Sequence, residues 1–141
     1  MRFMVIVPTT PATEDQMPSA EMLTAMGEFN KRLTDAGVML AGEGLRASRF
    51  GAKLTFTGSQ KAKSTDGPFT EAKELVGGFW IIDVPSKADA IRWMSQAPFP
   101  AGVTLEIRRL AEVEDFGDDL TPELREHERE WREKSGYTKR P

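Results

Sequence analysis

Four ionisable side chains sit close together at one turn-like corner of this chain. Asp66, Glu71, Lys73 and Glu74 fall within Asp66-Gly67-Pro68-Phe69-Thr70-Glu71-Ala72-Lys73-Glu74, between two strand-like segments. Asp66 has two readings. If burial raised its pKa, it would serve alone as a general acid or base. Otherwise its carboxylate accepts backbone N–H groups and caps a turn. Glu71, Lys73 and Glu74 either grip a polar ligand or form an ion-paired, solvated loop. Pro68 fixes its own φ and pushes Gly67 out of the helical region, so the corner is stiff. Phe69 supplies an apolar anchor.

A second group is basic. Arg46 and Arg49 lie in the glycine-rich stretch 43–52, and Arg108 lies far along the chain. Guanidinium groups suit bidentate recognition of carboxylate or phosphate. The three either converge near Asp66, with Glu43 pointing into the same cleft, or are spread over the surface. The expected ligand is small and polar or anionic. His127 is the single histidine, and there is no cysteine. Disulfides, thiolate metal sites and cysteine nucleophiles are therefore excluded, and no carboxylate spacing suggests a metal site. A Walker phosphate loop, a G-x-G-x-x-G after the first strand, a G-x-S-x-G elbow and an H-E-x-x-H pair are all missing. No cofactor is expected.

The elements that must position these residues follow from periodicity. Residues 2–7 form a short apolar run ended by Pro8, a buried strand. Residues 9–18 read as a loop. Ser19 is placed to cap a helix, with Glu21 complementing its dipole. Met22, Met26, Phe29, Leu33 and Ala36 then mark one apolar helical face, and Gly37 fits the position just past the helix end. Residues 38–42 predict a second strand. Residues 53–57 alternate polar and apolar, predicting a half-exposed strand. Gly58-Ser59 suits a tight turn, and residues 60–65 a returning edge strand guarded by Lys61 and Lys63. Residues 75–84 give the strongest strand signal, in which Gly77 and Gly78 imply a bulge or a close backbone approach. Ser86 and Asp89 approximate a capping box. The helix that follows carries Ala90, Ile91, Met94 and Ala97 on one face and ends before Pro98 and Pro100. Val103, Leu105 and Ile107 predict a last half-buried strand. Trp80 and Trp93 belong to the core or to an interface. The order predicts an α+β, ferredoxin-like βαββαβ plan with an inserted hairpin and both helices on one face of the sheet.

At 141 residues the chain is long enough for one core, with a net charge of −3 that argues against nucleic acid. Charge is nearly balanced over residues 1–111, but residues 112–119 hold five acidic side chains and no basic one. This gives a domain at 1–111, a solvated acidic linker at 112–120 and a helical extension at 121–141. Thr121 and Pro122 start that helix. Its stripe of Leu120, Leu124, His127 and Trp131 is expected to dock on the sheet or across a dimer, and His127 to be a packing residue. No apolar run is long enough for a membrane helix, and no secretory leader pattern is present, so the expected location is cytoplasmic.

The unbroken DGPFTEAKE run at 66–74 resembles the signature of DGPF-type proteins within the YCII-related family. Ala41-Gly42-Glu43-Gly44-Leu45 and Gly77-Gly78-Phe79 extend the resemblance over most of residues 1–110. It implies a homodimer in a dimeric α/β barrel-like arrangement, with the second subunit covering the bare sheet face. It also implies a regulatory or accessory role, since such proteins are often encoded beside extracytoplasmic-function sigma factors. In the wider family an Asp at this corner pairs with a His from the first helix as a proposed acid/base dyad. Aligning on Gly37 places that His at about Met26, so the dyad is incomplete here. The expected function is a homodimeric small-molecule-binding or accessory protein. The alternatives are a cofactor-free hydrolase, lyase or isomerase using Asp66 or Glu71, and a dimerisation module whose tail helix recruits a protein.

Overall fold

A computed structural model describes residues 1–135 of the chain; the last six residues of the expected 121–141 extension lie outside the described residues. Six strands and three helices follow one another as β1 (Arg2–Thr9), α1 (Ala20–Asp35), β2 (Met39–Gly44), β3 (Ala52–Gly58), β4 (Lys61–Asp66), β5 (Leu75–Asp83), α2 (Lys87–Met94), β6 (Glu106–Arg109) and α3 (Pro122–Ser135). β2, β5, β1 and β6 form one antiparallel sheet in that order, and β3 pairs only with β4. β1 and β2 both run antiparallel to β5, and β5 and β6 both run antiparallel to β1. The chain is thus two interleaved β-α-β units, an α+β arrangement compatible with the ferredoxin-like plan.

Strand register sorts the side chains onto two faces. Phe3 opposite Ile82 and Val5 opposite Trp80 point inward, while Met4 opposite Ile81 and Ile6 opposite Phe79 point outward. The inner face meets Phe29 and Leu33 of α1 and Ala90 and Met94 of α2 in a single buried cluster. Both helices therefore cover one face. Their ends follow local chemistry: Ser19 Oγ accepts the Met22 N–H at 3.1 Å, and Gly37, at φ +65°, closes α1. Ser86 Oγ accepts the Asp89 N–H at 3.1 Å but donates to the Asp89 carboxylate at 2.7 Å, a one-sided variant of the capping box. Gly77 is the extra residue of a bulge between β1 and β5. A Cβ on Gly78 would lie 2.9 Å from the Glu43 carbonyl oxygen, so that glycine lets β2 approach.

Several expectations are corrected. The β3–β4 hairpin is exposed along both strands and on both faces, not half-buried, because no layer of its own chain reaches it. Its turn is Ser59–Gln60, one residue later than predicted, with Gln60 at positive φ. β6 begins at Glu106 and leaves Val103 exposed. Ala36 and Ile91 lie at the margins of their helices' apolar faces and stay exposed.

The tail differs most. The stretch expected as a solvated linker has local structure: Val113–Asp119 forms 3-10 turns and Val113 is buried, while residues 114–117 are exposed. α3 docks through its polar face. Arg132 donates to Glu112 at 2.9 Å, and Glu112 also receives both the Nε and Nη2 of Arg2, at 2.9 and 2.8 Å. Leu124 and Trp131 remain 51% and 59% exposed, and His127 is exposed beside them. Arg125 donates to the carbonyls of Leu120, Val113 and Gly117, and Arg132 to that of Ala111, so arginines tie the helix to the preceding segment.

Candidate functional site

The corner at residues 66–69 is fixed by a neighbouring turn, not by Asp66. Gly67 N–H donates to the Gly51 carbonyl at 3.0 Å, and Phe69 N–H donates to Ser48 Oγ at 2.9 Å. Ser48 Oγ donates in turn to Glu14 Oε1 at 2.8 Å, while Ser48 N–H donates to Glu14 Oε2 at 2.6 Å. Three chain segments thus meet on one serine. Asp66 is exposed at the end of β4, and its carboxylate caps nothing. Glu71 and Lys73 are exposed as well; Lys53 donates to Glu71 at 2.6 Å and lies over the Phe69 ring, 4.4 Å from its centroid. The hydrogen bond from Lys53, then one from the backbone, hold the Glu71 carboxyl below its usual range. A carboxylate so biased toward the ionised form is a weak proton acceptor at neutral pH.

The turn that anchors the corner presents the two arginines. Arg46 stacks on Phe50 at 3.7 Å from the ring centroid, and Arg49 approaches the same ring at 4.5 Å while pairing with Asp15. Both line a polar cleft of about 680 Å³ walled by the 13–18 loop and by the end of β1. Thr9, Thr10 and Thr13 share hydroxyl hydrogen bonds at its edge, with Thr10 Oγ1 and Thr13 Oγ1 2.8 Å apart. Arg108 does not join them: it lies on β6, the opposite edge strand from β2, beside Glu106 at 3.7 Å.

Beside the polar cleft lies an apolar cavity of about 290 Å³ between α1, β2 and β5. Val7, Pro18, Gly44 and Gly77 line both, so the two adjoin. Met22 and Met26 form its helical wall, Gly42 and Gly78 its strand wall, and Trp80 and Phe99 its floor. Glu43 stands at its rim and is exposed. Trp80 is held in place on three sides: it meets Phe29 and Phe99 edge-on, at 6.2 and 6.3 Å between centroids, and its indole N–H donates to Asn30 Oδ1 at 2.9 Å. Gly42 leaves room for that ring, since a Cβ there would come 2.8 Å from Trp80 Cδ1.

Of the residues singled out from sequence, Arg46 and Arg49 line the polar cleft and Glu43 the adjoining cavity, while Asp66, Glu71, Lys73 and Arg108 line neither. Sequence reasoning missed Glu14, Ser48 and Asn30, whose partners are 20 or more residues away and leave no local pattern. Met26, read as plain core, lines the cavity. Among the described residues no cluster of three or more His, Cys, Asp or Glu could hold a metal ion, and no helix is long and apolar enough to cross a membrane.

Fold and site together define a small α+β protein with one helix-covered antiparallel sheet and a two-part cleft at the sheet's β2 edge. The model of the YCII-related domain matches residues 1–114, and the chain belongs to that family. No curated protein matches the chain.

Proposed function

We propose that this YCII-related protein binds a small molecule in the cleft between α1, β2 and β5 and acts as a homodimeric accessory protein, not through proton transfer at Asp66 or Glu71. The observation that carries the reading is an apolar cavity set directly beside a polar cleft that carries Arg46 and Arg49, with four lining residues in common. Concave, mostly apolar space with a few placed polar groups is the usual form of a ligand site. A general base must reach its substrate within hydrogen-bonding distance, and neither carboxylate borders this space. Native mass spectrometry tests the reading. The wild-type protein is expected to carry a small-molecule mass that denaturation releases, and Met26→Trp, which fills the cavity, to lose it. Equal bound mass in both proteins would place the ligand elsewhere.

The homodimer has its own support. A two-stranded hairpin is marginal in water unless it packs on something. In β3–β4 the register sets Leu54, Phe56 and Ala62 on one face and Lys53, Lys61 and Lys63 on the other. Leu54 is 63% and Phe56 76% exposed. The outward residues Met4, Ile6 and Phe79 form a second half-covered apolar surface, on the sheet face opposite α1 and α2. Two exposed apolar surfaces on one chain suit burial against a second copy related by a two-fold axis. Phe56→Ser is expected to weaken self-association at least tenfold by light scattering, with monomer stability changed by less than about 0.5 kcal/mol because Phe56 packs on little within its own chain. A dimer of unchanged affinity would exclude the hairpin from the interface.

A further inference from the structure

We infer that the ligand of this cleft is a monocarboxylate with an apolar body, its carboxylate on Arg46 and its body in the cavity over Trp80; this rests on the cleft reading above. The charges at the cleft decide the anion. Arg49 is committed to Asp15, and Glu14 spends both oxygens on Ser48. Arg46 has the Phe50 ring beneath it and no carboxylate partner. Stacking on Phe50 orients the planar fork without neutralising it, and leaves its edge for two parallel N–H···O bonds. One uncommitted positive charge balances one negative charge. A dianionic phosphate would bring a second, beside Glu14, Asp15 and Glu43.

The cavity decides the body. Its walls are Met22, Met26, Phe99 and the Trp80 ring, with glycines where β2 and β5 face it. Backbone that carries no side chains leaves a flat slot, and thioethers adapt to rings and chains alike. The one indole N–H that could have served as a polar handle is already given to Asn30. The polar side chains left on the cavity are the Asn30 amide and, at the rim, Glu43, so apolar surface dominates the space that holds the body. Gly42 beside Trp80 and Arg46 are four residues apart, at most about 14 Å of extended chain, which bounds the ligand to a medium-length acyl chain or a small aryl acid.

The test uses octanoate and 3-phenylpropanoate, the matching neutral alcohols octanol and 3-phenylpropanol, and acetate. Each is titrated into the full-length ¹⁵N-labelled protein while the Trp80 indole N–H resonance is followed. Both long acids are expected to shift it, with the alcohols binding about tenfold more weakly and acetate not at all. Arg46→Gln is expected to remove the difference between acid and alcohol. Octanoate against 3-phenylpropanoate then separates an acyl from an aryl source. Alcohols binding as well as acids, or an acid preference that survives Arg46→Gln, would overturn the carboxylate assignment and leave the cleft standing. Acetate binding as tightly as octanoate would overturn the placement of the body in the cavity. No shift of Trp80 with any of the five would overturn the cleft reading itself.

Discussion

Gly67→Ala is expected to be the most damaging single-atom change in the chain. The added Cβ would fall 1.8 Å from the Ser48 carbonyl oxygen and 2.5 Å from its carbon. Both are backbone atoms, so no rotamer can relieve the clash. Either the corner or the Ser48–Phe50 turn must move, and the Gly67–Gly51 and Phe69–Ser48 hydrogen bonds go with it. Overpacking in a tight interior costs typically 1–3 kcal/mol, and the lost bonds add about 1 kcal/mol each. We expect a loss of about 3 kcal/mol or more, a fall of roughly 10 °C or more in Tm, read by thermal unfolding. Gly44→Ala is the control. Nothing lies within 4 Å of a Cβ there, so the same chemistry should change stability by less than about 1 kcal/mol. If Gly67→Ala melts with the wild type, the corner is not clamped to the Ser48 turn.

That clamp recasts the nine-residue run at 66–74. Its charged residues drew attention as chemistry, yet the hydrogen bonds run through its backbone. The run secures the turn that holds Arg46 and Arg49, and through Ser48 and Glu14 it ties the 10–18 loop to the same place. Its effect on the cleft is one of positioning.

Most of the frame was legible because its signals are local. Ser19, Gly37 and Ser86 mark helix ends by chemistry that acts within three residues. The short apolar run at 2–7 and the dense one at 75–84 marked the central strands, and Gly77-Gly78 marked the bulge and the close approach of β2. Arg46 and Arg49 stayed together because one short turn carries both. Arg108 could not be placed, since which edge a strand takes is a matter of long-range pairing. The exposure of β3 and of the α3 stripe within the single chain was not legible, for a shared reason. Alternation and stripes say which residues are apolar, but not whether another layer exists to cover them. In α3 Leu124 and Trp131 stay exposed, and Arg132 makes the hydrogen-bonded contact with Glu112 and the Ala111 carbonyl.

Glu112→Gln should detach that contact, with a pH signature. The Glu112 carboxylate sits between the guanidinium groups of Arg2 and Arg132, whose side chains are only 12% and 14% exposed, while Glu112 itself is 33% exposed. The hydrogen bonds from Arg2 hold the Glu112 carboxyl below its usual range, against the opposing pull of desolvation, with the charges of Arg2 and Arg132 adding to the effect. Removing one partner of a buried ion pair costs 3–5 kcal/mol and of an exposed one under about 1. This partly covered group falls between, at roughly 1–3 kcal/mol, or roughly 4–12 °C in Tm at neutral pH. A depressed carboxyl pKa stabilises the fold above its unfolded value, about 4.3, and the contribution fades as pH falls through the lower folded value. Wild type and Glu112→Gln should therefore differ at pH 7 and draw together below about pH 4. Arg132 also bonds Glu128 and the Ala111 carbonyl, so the helix's last turns keep these contacts when Glu112 is neutral. What is lost is its grip on β1. Equal melting at pH 7, or a gap that persists undiminished into acid, would mean that α3 is held by something other than this carboxylate.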